Sequence, residues 1–167
     1  MVDLKRLIRD VPDFPRRGIL FRDISPLLRE HFETAIEVLD NLLTDVEWNE
    51  IDAVAGVESR GFILGAALAA RRRKGFVLVR KQGKLPPPVV DVAYDLEYGS
   101  NVLEMQCGHG RLLLVDDVLA TGGTMTASAD LCVQAGYEIM AIAALIDLKI
   151  VADYTWRTLS ARTAVQY

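Results

Sequence analysis

Leu113-Leu114-Val115-Asp116-Asp117-Val118-Leu119-Ala120-Thr121-Gly122-Gly123-Thr124 is the stretch that decides how this 167-residue chain is read. An apolar run ends in two acids, small residues follow, and a helical pattern then continues from Thr124 to Ala135 and stops at Gly136. The pattern is strand, tight turn and helix. Small side chains leave the N–H groups of Ala120, Thr121, Gly122, Gly123 and Thr124 unobstructed, and glycine tolerates the turn that lets such groups converge on an anion. Thr121 and Thr124 add hydroxyl donors, and the helix start adds a partial positive charge. A monophosphate suits this cradle. Asp116 and Asp117 would repel a phosphate, so they are read as acceptors for sugar hydroxyls and for metal-bound water. Acids and cradle together point to a phosphorylated ribose. No Gly-Lys-Ser/Thr follows, so the loop is not a Walker loop.

Outward from this stretch, short apolar runs alternate with helical patterns. Leu112 to Val115 and Ile139 to Ile146 read as strands, as does Asp52 to Val57. Glu58-Ser59-Arg60-Gly61 turns the chain into an alanine-rich helix from Phe62 to Arg73, and Phe76 to Val79 completes a βαβ unit after Gly75. This order predicts an α/β fold, an open and mostly parallel sheet flanked by helices on both faces, with ligands at the carboxyl ends of the strands. Near the N-terminus, Leu4, Leu7, Ile8 and Val11 have helical spacing, and a second helix is expected from about Pro26 to Leu43. The turn-rich stretch from Lys81 to Arg111 is long for a loop in a compact domain and is read as a lid, about 84–106. Within it, Val89 to Tyr94 and Asn101 to Met105 alternate enough for a β-hairpin arm.

Composition narrows the classes. With 51% hydrophobic residues the chain can bury one substantial core, so a single domain over 1–167 is expected. A formal net charge of -4 gives no general attraction for polyanions, and no nucleic acid is expected as a partner. Arg71-Arg72-Arg73-Lys74 is read as a solvated helix end favoured by the macrodipole. Cys107 and Cys132 are too few for a disulfide scaffold and lack metal-ligand spacing, which suits a reducing cytosol. No secretory leader or membrane-spanning run is apparent, so a soluble, cytoplasmic protein is expected.

The Asp116 to Thr124 segment resembles the phosphoribosyl pyrophosphate (PRPP) signature of the type I phosphoribosyltransferases. Five further segments resemble the adenine phosphoribosyltransferases, in the same order. They are Pro12 to Pro15, Gly18 to Pro26, Glu58 to Phe62, Val79 to Pro86 and Leu96-Glu97-Tyr98-Gly99. The likeness covers roughly residues 8 to 147. It implies a short N-terminal hood, about 1–30, over the type I fold, and transfer of ribose 5-phosphate from PRPP to adenine with release of pyrophosphate. By the same resemblance Glu97 is the catalytic group exchanging a proton with purine N7, and Tyr98 helps close the lid. Ser59 and Arg60 bind pyrophosphate, with Arg80, Lys81 and Lys84 as further cations, one or more of them reaching a neighbouring subunit in a homodimer. Leu20, Phe21 and Arg22 recognise adenine through backbone and apolar contact. Mg²⁺ is carried on PRPP, with no direct protein ligand. Glu58 is read as orienting Arg60 or capping the following helix. The chain departs from the family at Pro87, in the short Cys107 to Gly110 connection and beyond Asp147. Two other functions are open to such a fold: a PRPP-sensing regulator without chemistry, and a transferase for another base.

Overall fold

A computed structural model describes residues 3–96 and 99–167. The chain divides into two compact units, residues 1–38 and 39–167. In the first, a 3₁₀ turn over Leu4–Leu7 leads to an antiparallel hairpin of β1 (Arg9–Pro12) and β2 (Leu20–Asp23). The expected helix through Val11 is thus cut short. A single turn of helix is a poor competitor because nucleation is costly, whereas β1 gains a partner across a turn held by the Gly18 N–H donating to Asp13 Oδ1 at 2.6 Å. The long second helix is also broken, into α1 (Ser25–Glu30) and α2 (Phe32–Asp40), because His31 leaves helical geometry at φ -140°, ψ 38°. One further helix, α3 (Asp45–Asn49), escaped the sequence reading although its start carries a capping box, with Thr44 and Glu47 bonding reciprocally.

The second unit is built on a seven-stranded sheet. Its strands are β3 (Ala53–Val57), β4 (Gly75–Lys81), β5 (Val89–Leu96), β6 (Gly99–Gln106), β7 (Gly110–Leu119), β8 (Tyr137–Asp147) and, later in the chain, β11 (Arg162–Gln166). A small separate hairpin of β9 (Thr155–Trp156) and β10 (Leu159–Ser160) precedes β11. In space the order is β11-β8-β7-β3-β4-β6-β5, parallel except where the β5–β6 hairpin joins the edge of β4 antiparallel. The expected fold class is therefore the observed one, and the arm foreseen in the lid is a real hairpin.

Helix α4 (Arg60–Arg72) connects β3 to β4, and α5 (Gly123–Gln134) connects β7 to β8. These crossovers leave the sheet's centre in opposite directions. Since such connections are right-handed, α4 and α5 lie on opposite faces. The centre, between neighbours β3 and β7, is the topological switch point, where the loops leaving the strand ends diverge and open a crevice. Burial holds the frame. Ala55, Val57, Leu112, Leu114, Met125, Leu131, Cys132 and Ile142 form one fully or nearly fully buried cluster that includes the inner side of α5. On the α4 side the approach is closer: a Cβ on Gly56 would lie 2.9 Å from the Gly61 carbonyl oxygen and from the Phe76 ring. The basic end of α4 is not simply solvated. Arg71 and Arg72 both bind the buried Asp40 carboxylate, and Arg72 also lies over the Trp48 ring at 5.2 Å. The macrodipole supplies only tenths of a kcal/mol at such a site, so a desolvated acid is the stronger attraction.

Candidate active site

The two loops at the switch point carry most of the residues singled out from the sequence. Strand β7 runs past the expected Val115 to Leu119, so Asp116 and Asp117 lie within its carboxyl-terminal end. Both are buried, at 8% and 6% exposure. Burial pushes both carboxyls above the usual range. For Asp116 the neighbouring negative charge of Asp117 adds to the effect, and for Asp117 the Arg60 guanidinium opposes it. Arg60 Nε lies 2.8 Å from Asp117 Oδ2, while Asp116 Oδ1 accepts from the Asp117 N–H at 2.8 Å. A Cβ on Gly61 would stand 2.9 Å from Asp116 Oδ1, so the first turn of α4 can come this close to the acids only without a side chain.

After the acids, Val118 to Met125 together with Asp116 line a small cavity of about 70 Å³. Ala120, Thr121, Gly122, Gly123 and Thr124 are all on its wall. Gly122 takes the left-handed conformation, φ 87°, and no side chain caps the start of α5 behind it. The first amides of this helix are thus presented to the cavity rather than spent on a cap.

Across the switch point, the β3–α4 loop holds Glu58 and Ser59, with a cis peptide between them, and Arg60 is the first residue of α4. Ser59 is exposed. Glu58 does neither of the things expected of it. Its side chain, 8% exposed, accepts from Lys84 Nζ at 2.6 Å and from the Lys81 N–H at 2.8 Å, with Arg80 Nη2 further off at 3.5 Å. Burial alone would raise this carboxyl. The bonds from Lys84, from the Lys81 backbone and from Arg80 overcome it and hold the group at about 2. The depressed value means that the acid favours the folded state at neutral pH, and that this contribution is lost only as pH falls from the ordinary carboxylate range towards about 2. The Arg80 guanidinium also lies over the Phe62 ring, 5.7 Å away. Lys81, next to it on the strand, is exposed.

In the β1–β2 hairpin, Leu20 is 47% exposed, Phe21 meets Phe14 edge-on at 5.2 Å, and Arg22 forms an ion pair with Asp10. Glu97 and Tyr98 lie outside the described residues.

Two residues absent from the sequence reading stand beside the site. Tyr154 packs its ring on Gly122, where a Cβ would come within 2.5 Å, and its hydroxyl is 2.9 Å from Thr126 Oγ1 in the first turn of α5. Glu104, 3% exposed, accepts three backbone N–H groups, from Gly83, Lys84 and Leu85. An acid in an alternating strand was the only local signal for Glu104, and nothing local marked Tyr154.

Residues 28–153 match the phosphoribosyl transferase domain family. Over 166 residues the chain is 51% identical to adenine phosphoribosyltransferase of Bdellovibrio bacteriovorus, spanning 99% of this chain and 100% of that protein. The chain belongs to the adenine phosphoribosyltransferase family. A second relative, the adenine phosphoribosyltransferase of Hydrogenovibrio crunogenus, is 48% identical over 98% of this chain and 96% of that protein. The solved adenine phosphoribosyltransferase of Rhodothermus marinus has the same fold, with a TM-score of 0.84 at 42% identity over 98% of this chain and 96% of that one. The Saccharomyces cerevisiae enzyme, solved in complex with D-2,5-dideoxy-2,5-imino-altritol 1,6-bisphosphate and adenine, gives 0.87 at 33% identity over 96% of each chain. As a member of this family the chain is a pentosyltransferase.

Proposed function

We propose that this protein transfers the 5-phosphoribosyl group of PRPP to adenine, giving AMP and pyrophosphate in purine salvage. The observation that carries the reading is the uncapped start of α5 behind the left-handed Gly122, opening onto a cavity shared with Asp116. The 5-phosphate fits the N–H groups of Ala120 to Thr124, and the ribose hydroxyls donate to Asp116 and Asp117. Ser59, Arg60 and Lys84 take the pyrophosphate, whose charge grows as its bond to C1 of the ribose breaks and a bond from C1 to the purine nitrogen forms. Removal of the purine proton falls to Glu97, with Tyr98 closing the lid, and adenine is read by Leu20, Phe21 and Arg22. The exposed Leu20 supplies an apolar surface for that contact. Mg²⁺ suits this donor set: Asp116 and Asp117, two hard carboxylates raised by burial, would gain from a divalent cation carried on PRPP, which would supply charge neutralisation.

Titration calorimetry with PRPP, followed by a screen of bases for nucleotide formation, tests the reading. AMP should form from adenine far faster than nucleotides form from hypoxanthine, xanthine or orotate. PRPP binding with no product from any base would instead indicate a regulator, and preference for another base would move the activity elsewhere in the fold family.

A homodimer with shared sites is part of the same proposal. Lys84 and Arg80 are engaged by Glu58 of their own chain, which leaves the exposed Lys81 to reach a neighbour's pyrophosphate. No helix among the described residues is long and apolar enough to cross a membrane. Both cysteines are unpaired, and a cytoplasmic location accords with that. Mixing inactive Arg60→Ala and Lys81→Ala chains should restore roughly a quarter of full activity, since about half of the dimers are mixed and each has one intact site. A monomer at assay concentration, or no recovery on mixing, counts against sharing.

A further inference from the structure

Glu104 stands on β6, directly across from Arg80 of β4 in the antiparallel register. Its carboxylate has almost no contact with solvent, and its oxygens are enclosed by three consecutive backbone donors: Gly83 N–H at 2.9 Å on Oε2, and Lys84 and Leu85 N–H at 2.6 and 2.7 Å on Oε1. Gly83 has φ 83°, and a left-handed residue among successive amides turns them inward to form an anion-binding nest. Here the anion is a side chain from another strand. The backbone donors, Gly83 first, outweigh burial and hold this carboxyl below its ordinary range, so at neutral pH it is a full negative charge in the nest. The segment from Gly83 to Leu85 follows no strand or helix of its own. Its three backbone N–H groups all donate to Glu104.

That shape determines where Lys84 goes. With its backbone N–H on Glu104, Lys84 sends Nζ to Glu58, the residue that immediately precedes Ser59 and Arg60. Arg80 Nη1 reaches the Lys84 carbonyl oxygen at 3.4 Å. The strand that bears Glu104 is also the second strand of the β5–β6 arm. One buried carboxylate thus joins the base of the lid arm to the cation loop.

We propose that Glu104 is a positioning residue for pyrophosphate, acting through the 83–85 nest to place the Lys84 ammonium. The proposal rests on the assignment of Lys84 to pyrophosphate made above. Glu104→Gln keeps the size but loses the charge and turns an NH₂ group towards a backbone donor. It should weaken magnesium pyrophosphate binding, read by titration calorimetry on the intact enzyme, by about ten-fold, because bonds to a charged acceptor are lost. KM for pyrophosphate in the reverse direction should rise in step, while KM for adenine stays within about two-fold. Glu104→Asp, which keeps the charge but reaches less far, should fall between, and it carries the test if the glutamine variant does not fold. In a Lys84→Ala background, Glu104→Gln should cost little more pyrophosphate affinity, since both changes remove the same contact. A residue that only stabilised the loop would lower the melting temperature and leave pyrophosphate affinity unchanged. That outcome, or full additivity with Lys84→Ala, overturns the proposal. If Lys84→Ala itself binds pyrophosphate normally, the assignment of Lys84 fails, and the role of Glu104 with it. Normal binding by the folded Glu104 variants beside a weakened Lys84→Ala removes the positioning role alone.

Discussion

Exchanging Glu97 for glutamine is expected to lower kcat by about 10²- to 10⁴-fold, the usual contribution of general acid-base catalysis, with the affinities for PRPP and adenine nearly unchanged. Departure of pyrophosphate leaves an oxocarbenium-like ribose, and the purine becomes a competent nucleophile only as its proton is taken up. Glutamine matches glutamate in size and polarity but cannot accept that proton at neutral pH, so binding and chemistry separate. Single-turnover measurements distinguish this role from simple closure of the lid. If Glu97 only holds the arm shut, PRPP or adenine affinity falls with the rate, and loss of the Tyr98 ring does comparable damage. Near-normal turnover in the glutamine variant, with product release shown to be fast, excludes both roles.

The second large effect is expected at the strand end. Replacing Asp116 and Asp117 together by asparagine should weaken PRPP binding by about 30-fold to 10⁴-fold, since each lost sugar hydrogen bond costs about 1–3 kcal/mol and the two losses combine. The fold should survive. Burial raises both carboxyls, so their ionisation is disfavoured in the native state, and native stability falls as pH rises from the unfolded carboxylate range through the raised values. Neutral asparagines escape that penalty, and Arg60, 32% exposed, can be resolvated when Asp117 is gone. Melting temperature at pH 7 should therefore hold or rise while calorimetry reports the loss of PRPP affinity. A folded double variant that binds PRPP normally would refute the assignment of these acids to ribose. The same raised values predict that wild-type PRPP affinity begins to fall at a higher pH than an ordinary aspartate pair would allow.

The elements that could be read in advance share one property: their pattern is local. Apolar runs of four to eight residues ending at acids marked β3, β7 and β8, and an alanine-rich stretch after β3 marked α4. Short-range alternation marked the hairpin arm. Elsewhere tertiary pairing overrode a weak local preference. Val11 has helical spacing with Leu4, yet its backbone pairs with Phe21 across a turn. His31 breaks a stretch with continuous helical periodicity. Beyond Asp147 the strands are short and are supported by residues far away in sequence, as when Trp156 donates to Asp130 at 2.9 Å. Arg71 and Arg72 depart from a solvated helix end for a related reason: no helix-end rule shows a buried acid 31 and 32 residues earlier in the chain.

The sequence by itself determined the parallel α/β sheet and the strand, glycine-rich turn and helix that follow Leu113, because each is written as contiguous residues whose chemistry and spacing act over one turn of chain. Only the tertiary structure decided who partners whom. It put Glu58 on Lys84 rather than Arg60, set Arg60 against Asp117, leaned Tyr154 on Gly122 and placed Glu104 in the nest of Gly83, Lys84 and Leu85. The physical reason is that a buried charge has a large desolvation cost and accepts whichever donors the fold brings within reach, and that reach is fixed by strand order and register rather than by distance along the chain.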